Sequence, residues 1–251
     1  MNQMNQVTIN LDAKVINPKF RVLLTDKSRT KVIWGGAGSS KSFSITQVLL
    51  FKVLSEHNVK VLVTRKVART LRYSVFALFK HIISKWKLQQ YFTINKTDLT
   101  ITCTINGNEI LFLGLDDVEK LKSISNVTDV WMEEASEDTQ DDYQQLDVRL
   151  RGITKVAKQI ILSFNPISID HWLKSYFFDT PKADTLLLHS TYKDNQYLDD
   201  EYKQRLESYK SVDPYYYNVY CLGEWGNISS AKVFSKYVIE DFDTEHLESV
   251  C

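Results

Sequence analysis

The feature that most constrains the fold of this chain is a glycine-rich stretch between a strand-like run and a helix-like run. The run Lys31 to Trp34 is apolar and β-branched, and Ser42 to Leu54 has the apolar spacing of a buried helix. The stretch between them consists of Gly35, Gly36, Ala37, Gly38, Ser39, Ser40, Lys41 and Ser42. A strand that enters such a loop and opens a helix points backbone N–H groups at one anion, so the segment predicts a phosphate-binding loop.

The spacing of this loop fits the pattern G-x-x-x-x-G-K-[ST] of nucleoside triphosphate-binding proteins. In that pattern Lys41 reaches the β- and γ-phosphate oxygens, and the Ser42 hydroxyl holds Mg²⁺. Ser40 stands where glycine is usual, and a serine there is strained if the position needs a positive φ. The alternative is a glycine-rich turn with an incidental lysine.

A second motif is an apolar strand that ends in two adjacent carboxylates, Glu133 and Glu134. The first acid at a strand end can hold Mg²⁺ through water, and the second can polarise an attacking water as a general base. Kinases and many GTPases take their nucleophile or its orienting group from elsewhere, so the pair favours ATP hydrolysis for mechanical work. The alternative is an acidic helix start that complements the helix dipole.

Two further sets of residues are candidates for contact with a nucleotide. Ser163 and Asn165 end a strand beside the predicted phosphate-bearing strand, where they could sense the γ-phosphate and pass the change on. A plain strand end followed by a turn is the alternative. Phe20, with Arg21, precedes the loop strand and could stack on adenine, although a core phenylalanine is the more common outcome.

The cations of this chain are balanced by its acids. Lys and Arg number 31, as do Asp and Glu, so the formal charge is zero. That excludes binding to nucleic acid by bulk charge and leaves open a local basic stripe, for which Arg65 to Arg72 is the candidate. Arg149 and Arg151 are candidates for a cation that stabilises charge during hydrolysis.

The order of the remaining patterns predicts an α/β fold with a parallel sheet, because strand-like and helix-like runs alternate. Further buried strands are predicted at Val59 to Thr64, Asn108 to Leu115, Val127 to Met132, Gln159 to Phe164 and Thr185 to Thr191. Helices are predicted at Thr70 to Trp86 and Asp199 to Lys210. Asn106-Gly107 predicts a hairpin with a type I′ turn, which adds an antiparallel extension. No run of 18 apolar residues occurs, and the polar start lacks a secretory signal.

Together these motifs resemble the ATPase domain of the large terminase subunit of tailed bacteriophages, in the branch of Gram-positive phages and prophages. His189 to Asn195 and Gly223 to Gly226 add to the resemblance, which covers Phe20 to Trp225. It implies an α/β P-loop NTPase fold of the RecA-like, additional-strand type, with a mainly parallel central sheet flanked by helices. By domain, it implies an N-terminal extension over 1–19, the ATPase domain over 20–225, and over 226–251 a linker and the start of a nuclease domain.

The resemblance also implies a function, that of a DNA-packaging motor that uses ATP and Mg²⁺ to move double-stranded DNA into procapsids without sequence preference. The implied partners are a portal protein and a small terminase subunit. The implied oligomeric state is a homo-oligomeric ring on the portal, while the isolated chain can be a monomer. Its implied location is the host cytoplasm, outside the virion. The implied roles are phosphate and metal binding for Lys41 and Ser42, the metal-side acid for Glu133, the base for Glu134 and coupling for Ser163 to Asn165.

The chain departs from the family pattern at the cation that completes the site. Many family members carry an arginine inside the phosphate loop, and Ala37-Gly38-Ser39 contains none. Where relatives use an arginine ahead of the acidic motif, this chain has Lys120 and Lys122, which lack the bidentate geometry of arginine. Nuclease activity is not expected, because no cluster of aspartates that would bind two metals follows the ATPase motifs.

Two other functions remain open from the sequence. One is a nucleotide-binding assembly module with little turnover alone, favoured by Ser40 and by the missing loop arginine. The other is a different P-loop translocase or helicase, which would need a second RecA-like lobe that 251 residues hardly accommodate.

Overall fold

A computed structural model describes residues 9–116, 121, 124–151 and 156–227. Its strands are β1 (Thr30–Gly35), β2 (Lys60–Arg65), β3 (Phe92–Asn95), β4 (Thr100–Cys103), β5 (Glu109–Gly114), β6 (Asp129–Glu133), β7 (Gln159–Phe164) and β8 (Thr185–Ser190). Its α-helices are α1 (Lys41–Ser55), α2 (Ala68–Leu71), α3 (Val75–Lys85), α4 (Gln140–Arg149), α5 (Trp172–Phe177), α6 (Asp200–Val212) and α7 (Pro214–Tyr216). Short 3₁₀ turns lie at Ala13–Val15, Pro18–Leu24, Gln89–Tyr91, Ala135–Glu137 and Tyr192–Asp194, and a π-helical turn lies at Tyr217–Cys221.

All eight strands form one sheet, in the order β3-β4-β5-β2-β6-β7-β1-β8. The pairs from β5 through β8 are parallel, and β3, β4 and β5 pair antiparallel. Strand β7 lies between β1, which enters the phosphate loop, and β6, which ends in the acidic pair. Strand β7 is therefore the additional strand that the predicted fold class requires. The structure confirms both the predicted fold class and the predicted antiparallel extension.

The parallel register explains why the motifs meet. Ile33 pairs with Ser163, and Ser163 in turn pairs with Glu133 across β7 and β6. The carboxyl ends of β1, β6 and β7 therefore reach the same edge of the sheet, which is where open parallel sheets bind ligands. A shared register thus brings residues far apart in sequence to one site.

Successive residues of each strand pack alternately into two hydrophobic cores, one on each face of the sheet. On one face Ile33, Val63 and Trp131 pack with apolar side chains of α1 and α3. On the other face Val32 and Met132 pack with side chains of α4 and α5. Burial on both faces accounts for the continuous apolar strands in the sequence. Among the described residues, none of the helices has the length and apolarity needed to cross a membrane.

Two local predictions need correction, and one strand was missed. The predicted helix from Thr70 to Trp86 is two helices, α2 and α3, because the chain turns at Ser74, whose φ and ψ are −98° and −107°. The hairpin between β4 and β5 is confirmed, but its turn is not type I′. That turn needs positive φ at both central residues, and of Asn106 and Gly107 only Gly107 has it. The missed strand is β3, which pairs with β4 at the edge of the sheet.

Candidate functional site

The phosphate loop lies between β1 and α1 and borders a cavity of about 240 Å³. The cavity is lined by Gly36, Ala37, Gly38, Ser39, Ser40, Lys41, Ser42, Phe43, Glu134 and Asn165. The structure thus brings together members of all three predicted motifs: the loop, the acidic pair and the end of β7. The cavity is called the cradle below.

Lys41 is folded back onto its own loop. Its Nζ donates to Gly35 O (2.9 Å), Gly36 O (3.0 Å), Ser39 Oγ (3.0 Å) and Asn165 Oδ1 (2.7 Å). Burial lowers the pKa of Lys41 to about 8, while the nearby Glu134 and Glu133 carboxylates oppose the shift. The ammonium is therefore held at the cradle by neutral acceptors that an anion could replace.

The conformation of Ser40 shows why glycine is usual at this position. Ser40 has φ 64° and ψ 17°, which lies in the left-handed region, where a serine is strained and a glycine is not. Two asparagines hold the loop from outside: Asn17 Nδ2 donates to Ser40 Oγ (2.9 Å), and Asn195 Nδ2 donates to Gly38 O (2.8 Å). Asn17 was not identified from the sequence, and Asn195 was identified only as the end of the His189 to Asn195 motif, without a contact to the loop.

The two glutamates at the end of β6 have different environments. Glu134 lines the cradle and has φ 56° and ψ 47°, a left-handed turn that separates its side chain from that of Glu133. Burial raises its pKa, and Lys41 opposes the shift. Glu133 is buried, and burial raises its pKa to about 7 against the influence of Arg65.

Arg65, at the end of β2, is an ion-pair partner of the acidic motif. Its Nε lies 3.0 Å from Glu133 Oε2, at an angle too poor for a hydrogen bond, so both buried atoms keep unused hydrogen-bonding capacity among the described residues. Its Nη2 contacts Glu137 Oε1 at 3.2 Å. Arg65 is thus engaged with the acidic motif, and the exposed arginines of the predicted DNA-binding stretch Arg65 to Arg72 are Arg69 and Arg72.

The end of β7 connects the cradle to the acidic strand. Asn165 accepts from Lys41, and Ser163 Oγ accepts a hydrogen bond from Trp131 Nε1 of β6 at 2.9 Å. The two residues predicted to couple hydrolysis to movement therefore touch the loop lysine and the core of the acidic strand. The coupling itself stays a prediction.

The segment after α7 packs backbone to backbone against the loop. Ala37 N donates to Tyr220 O of the π-helical turn at 2.7 Å. A Cβ on Gly36 would lie 1.9 Å from Cys221 O, and a Cβ on Gly223 would lie 2.3 Å from Gly35 Cα. Only glycine allows so close an approach of two backbones, so Gly36 and Gly223 let this segment pack directly against the loop.

A matched pair of glycine substitutions tests this packing. Gly223 and Gly107 have nearly equal φ values, 70° and 75°, but a Cβ on Gly107 meets nothing within 4 Å. We expect Gly107→Ala to lower the free energy of unfolding by about 1 kcal/mol, the cost of the left-handed backbone. Gly223→Ala adds overpacking against the loop and should cost roughly 2–5 kcal/mol. Urea unfolding of both variants measures the difference, and equal losses would contradict the packing.

A larger cavity of about 770 Å³ adjoins the cradle and shares Gly38, Ser40 and Phe43 with it. Its other lining residues are Asp12, Lys14, Val15, Gln47, Lys85, Trp86, Asn195 and Tyr197. The predicted adenine contact at Phe20 and Arg21 is not supported. Phe20 is fully buried in the core, and Arg21 is not part of this lining; its guanidinium donates to Ile16 O and to Lys14 O.

The predicted finger residues do not line the cradle among the residues that the structure describes. Arg149 ends α4 and donates from Nη1 to Leu121 O at 3.1 Å, and Arg151 is exposed. Lys120 and Lys122 lie outside the described residues. Lys41 is the cation of the cradle in this part of the chain.

Asp138, just after the acidic motif, is buried without compensation. It is 3% exposed, and neither of its carboxylate oxygens has a hydrogen-bond partner among the described residues. Burial raises its pKa to about 7, with repulsion from Asp142 adding to the shift. Above pH 7 the folded chain must therefore keep an ionised, unpartnered carboxylate.

Replacing Asp138 by its neutral isostere tests this cost. The folded state holds the Asp138 proton more tightly than the unfolded state, so this group's contribution to stability falls as pH rises from about 4 to 7. We expect Asp138→Asn to raise the free energy of unfolding at pH 8 by about 1–3 kcal/mol and to give no gain at pH 4. Urea titrations at both pH values measure this. Asp141→Asn, at an exposed position, is the control, and a gain independent of pH would refute the interpretation.

Comparison with known proteins identifies similar sequences and folds. A family profile described as "Phage terminase large subunit" matches residues 27–224. The chain is 30% identical to the PBSX phage terminase large subunit of Bacillus subtilis (strain 168), over 92% of this chain and 57% of that protein. It is 30% identical to the terminase large subunit of Bacillus phage SPP1, over 77% of this chain and 48% of that protein.

A solved structure shows the same fold at lower identity. The large terminase of a thermophilic bacteriophage, in complex with ATP-γ-S, matches with a TM-score of 0.69 and 18% identity. The match covers 84% of this chain and 53% of that one. The chain thus spans about half the length of the relatives that it matches.

Proposed function

Because this chain belongs to the phage terminase large subunit family, we propose that it is the ATP-hydrolysing motor domain of a DNA-packaging enzyme. The observation that carries the proposal is the meeting of Lys41, Glu134 and Asn165 at one cradle on the carboxyl edge of the sheet. That arrangement provides a phosphate ligand, a base and a sensor of the γ-phosphate. Hydrolysis and movement could then be linked in one domain.

The cradle would bind the phosphates, and the adjoining cavity would bind the nucleoside. On binding, Lys41 Nζ exchanges its four protein acceptors for phosphate oxygens, while free N–H groups of the loop and of the first turn of α1 surround the β-phosphate. The shared residues Gly38 and Ser40 make the two cavities continuous. A nucleotide can therefore extend from the cradle past Phe43 towards Gln47 and Tyr197.

Mg²⁺ would be held by Ser42 and Glu133, and the residues fit such an ion. Glu133 Oε2 is buried with unused hydrogen-bonding capacity, and a hydroxyl and a carboxylate are oxygen donors of the kind that Mg²⁺ takes. Phosphate oxygens and water would supply the remaining ligands, because Mg²⁺ is usually bound by one or two protein oxygen ligands together with substrate phosphates. When bound, the ion neutralises charge on the transferring phosphoryl group.

Glu134 would orient and deprotonate the attacking water. Its carboxylate lines the cradle, and burial raises its pKa, which makes it a stronger base than an exposed glutamate. Loss of the γ-phosphate would free Lys41 to return to Asn165, at the end of β7. The change could then pass through Ser163 to Trp131 and the acidic strand.

Double-stranded DNA would contact the exposed segment at α2. Arg69, Arg72 and Tyr73 are exposed there, and α2 follows β2 at the carboxyl edge of the sheet. Guanidinium groups can bind backbone phosphates without reading sequence. We place this motor in the host cytoplasm, as a ring on a portal protein, with a small terminase subunit that selects the DNA.

An assembly module with little turnover alone is the second candidate, and one observation favours it. Among the described residues, no arginine lines the cradle, and Lys41 is its cation. A neighbouring subunit could supply the missing charge. Steady-state ATP hydrolysis with Mg²⁺, over a range of chain concentrations with and without duplex DNA, separates the two. Turnover that rises faster than linearly with concentration supports the motor, and nucleotide binding without turnover under all conditions supports the module.

A further inference from the structure

We propose that Asn17 is a positioning residue for the phosphate loop, because it holds Ser40 in a conformation that leaves the start of α1 free for phosphate. This inference rests on the proposed function and goes beyond it, since it identifies a residue outside the loop on which nucleotide affinity depends. Asn17 lies 23 residues ahead of Ser40 in the sequence.

The side-chain amide of Asn17 is fixed on all sides. Asn17 is 2% exposed, and its Nδ2 donates to Ser40 Oγ (2.9 Å) and to Asp194 O (2.8 Å). Its Oδ1 accepts from Lys19 N (3.1 Å) at the start of the 3₁₀ turn Pro18–Leu24. These bonds fix the amide and join three separate parts of the chain at the loop.

Ser40 occupies the N-cap position of α1, where serine ordinarily blocks the end of a helix. An N-cap serine in the extended region accepts a hydrogen bond from the second or third helical N–H group through its hydroxyl. Here Ser40 is left-handed, and its side chain makes no such bond. Its hydroxyl accepts from Asn17 and lies 3.4 Å from Ser44 Oγ. The first-turn N–H groups therefore stay available to an anion.

Two conformations of Ser40 are thus in competition. The left-handed one is costly for serine and leaves the helix start open, and the extended one is cheap and lets the hydroxyl cap the helix. The bond from Asn17 favours the open conformation. A glycine at position 40 adopts the left-handed region freely and has no hydroxyl, so it would not need Asn17.

A double-mutant cycle tests the inference. The affinity for ADP with Mg²⁺ is measured by titration calorimetry for the wild type, Asn17→Ala, Ser40→Gly and the double variant. We expect Asn17→Ala to weaken binding at least tenfold in the wild-type background. In the Ser40→Gly background, the same substitution should weaken binding less than threefold. This ratio compares the double variant with Ser40→Gly, so it does not depend on the affinity of Ser40→Gly itself.

Two further variants protect the test from a folding artefact. Asn106→Ala also removes an amide that bonds two backbone carbonyls, Val53 O and Glu56 O, but at the other end of α1, so it should lower stability and leave affinity unchanged. If Asn17→Ala does not fold, Asn17→Ser keeps an acceptor for Lys19 N and is too short to reach Ser40. It should give the same pair of ratios.

The outcomes distinguish this inference from the proposed function. Equal losses in both backgrounds, or no loss in the wild-type background, would overturn the role of Asn17 and leave the nucleotide site standing. A wild-type chain that binds neither ADP nor ATP would overturn the proposed function and, with it, this inference.

Discussion

Lys41→Ala should lower the affinity for ATP and ADP by roughly 30-fold to several thousand-fold. Removing one partner of a buried, hydrogen-bonded charge pair costs about 2–5 kcal/mol, and each 1.4 kcal/mol is a factor of ten. Lys41 is the lysine that reaches the cradle, and it is buried there among acceptors that a phosphate would replace. Titration calorimetry with each nucleotide measures the loss.

The stability of the nucleotide-free variant separates a binding role from a structural one. Lys41→Ala removes four hydrogen bonds, which lowers stability, and it also removes a buried charge, which raises stability. Because the two effects oppose each other, the melting temperature without nucleotide should change little. The nucleotide-induced rise in melting temperature, which follows affinity, should disappear. Lys60→Ala, at the opposite end of the sheet, should keep that rise. Normal affinity of Lys41→Ala would refute the cradle assignment.

Glu134→Gln should keep nucleotide affinity and lower turnover by roughly 10²–10⁴-fold, the contribution of a positioned general base. Glutamine has the size of glutamate and meets the same left-handed backbone at φ 56°, so the substitution changes charge with little change in strain. The substituted chain should therefore bind ATP and retain it uncleaved. Single-turnover hydrolysis and calorimetry measure the two effects separately.

Glu137→Gln is the matched control for this experiment. Glu137 belongs to the same acidic segment and pairs with Arg65, but it does not line the cradle. Its substitution should leave turnover within a few-fold of the wild type. Unchanged turnover in Glu134→Gln would show that another group activates the water, and a loss of affinity would show that Glu134 supports binding.

Much of the fold could be predicted because each buried parallel strand carries its own apolar signal. β7 was predicted with its observed bounds, and the other long strands within one or two residues at each end. The break between α2 and α3 could not be predicted, because it lies in the backbone angles of Ser74, a residue type that helices also contain. Phe20 was ambiguous for a similar reason, since a core phenylalanine and a stacking phenylalanine have the same local sequence.

Within the candidate site, the residues with a fixed local pattern were found and those without one were missed. Lys41, Ser42 and Glu134 follow from spacing, because strand, loop and helix are contiguous in the chain. The sequence around Asn17 indicates only the start of a turn before proline. Nothing near it indicates a hydrogen bond to Ser40, 23 residues away. The packing of Gly223 against Gly35 joins segments still farther apart in sequence.

By itself the sequence determined the elements, the phosphate loop and the chemistry of its side chains, because these depend on neighbours within a few residues. The tertiary structure decided which groups meet. It placed β7 between β1 and β6, so that Asn165 reaches Lys41, and it brought Asn17 to Ser40 and Tyr220 to Ala37. It also paired Arg65 with Glu133. Such contacts depend on strand order and close backbone packing, which are properties of the whole folded chain and leave no local trace in the order of its residues.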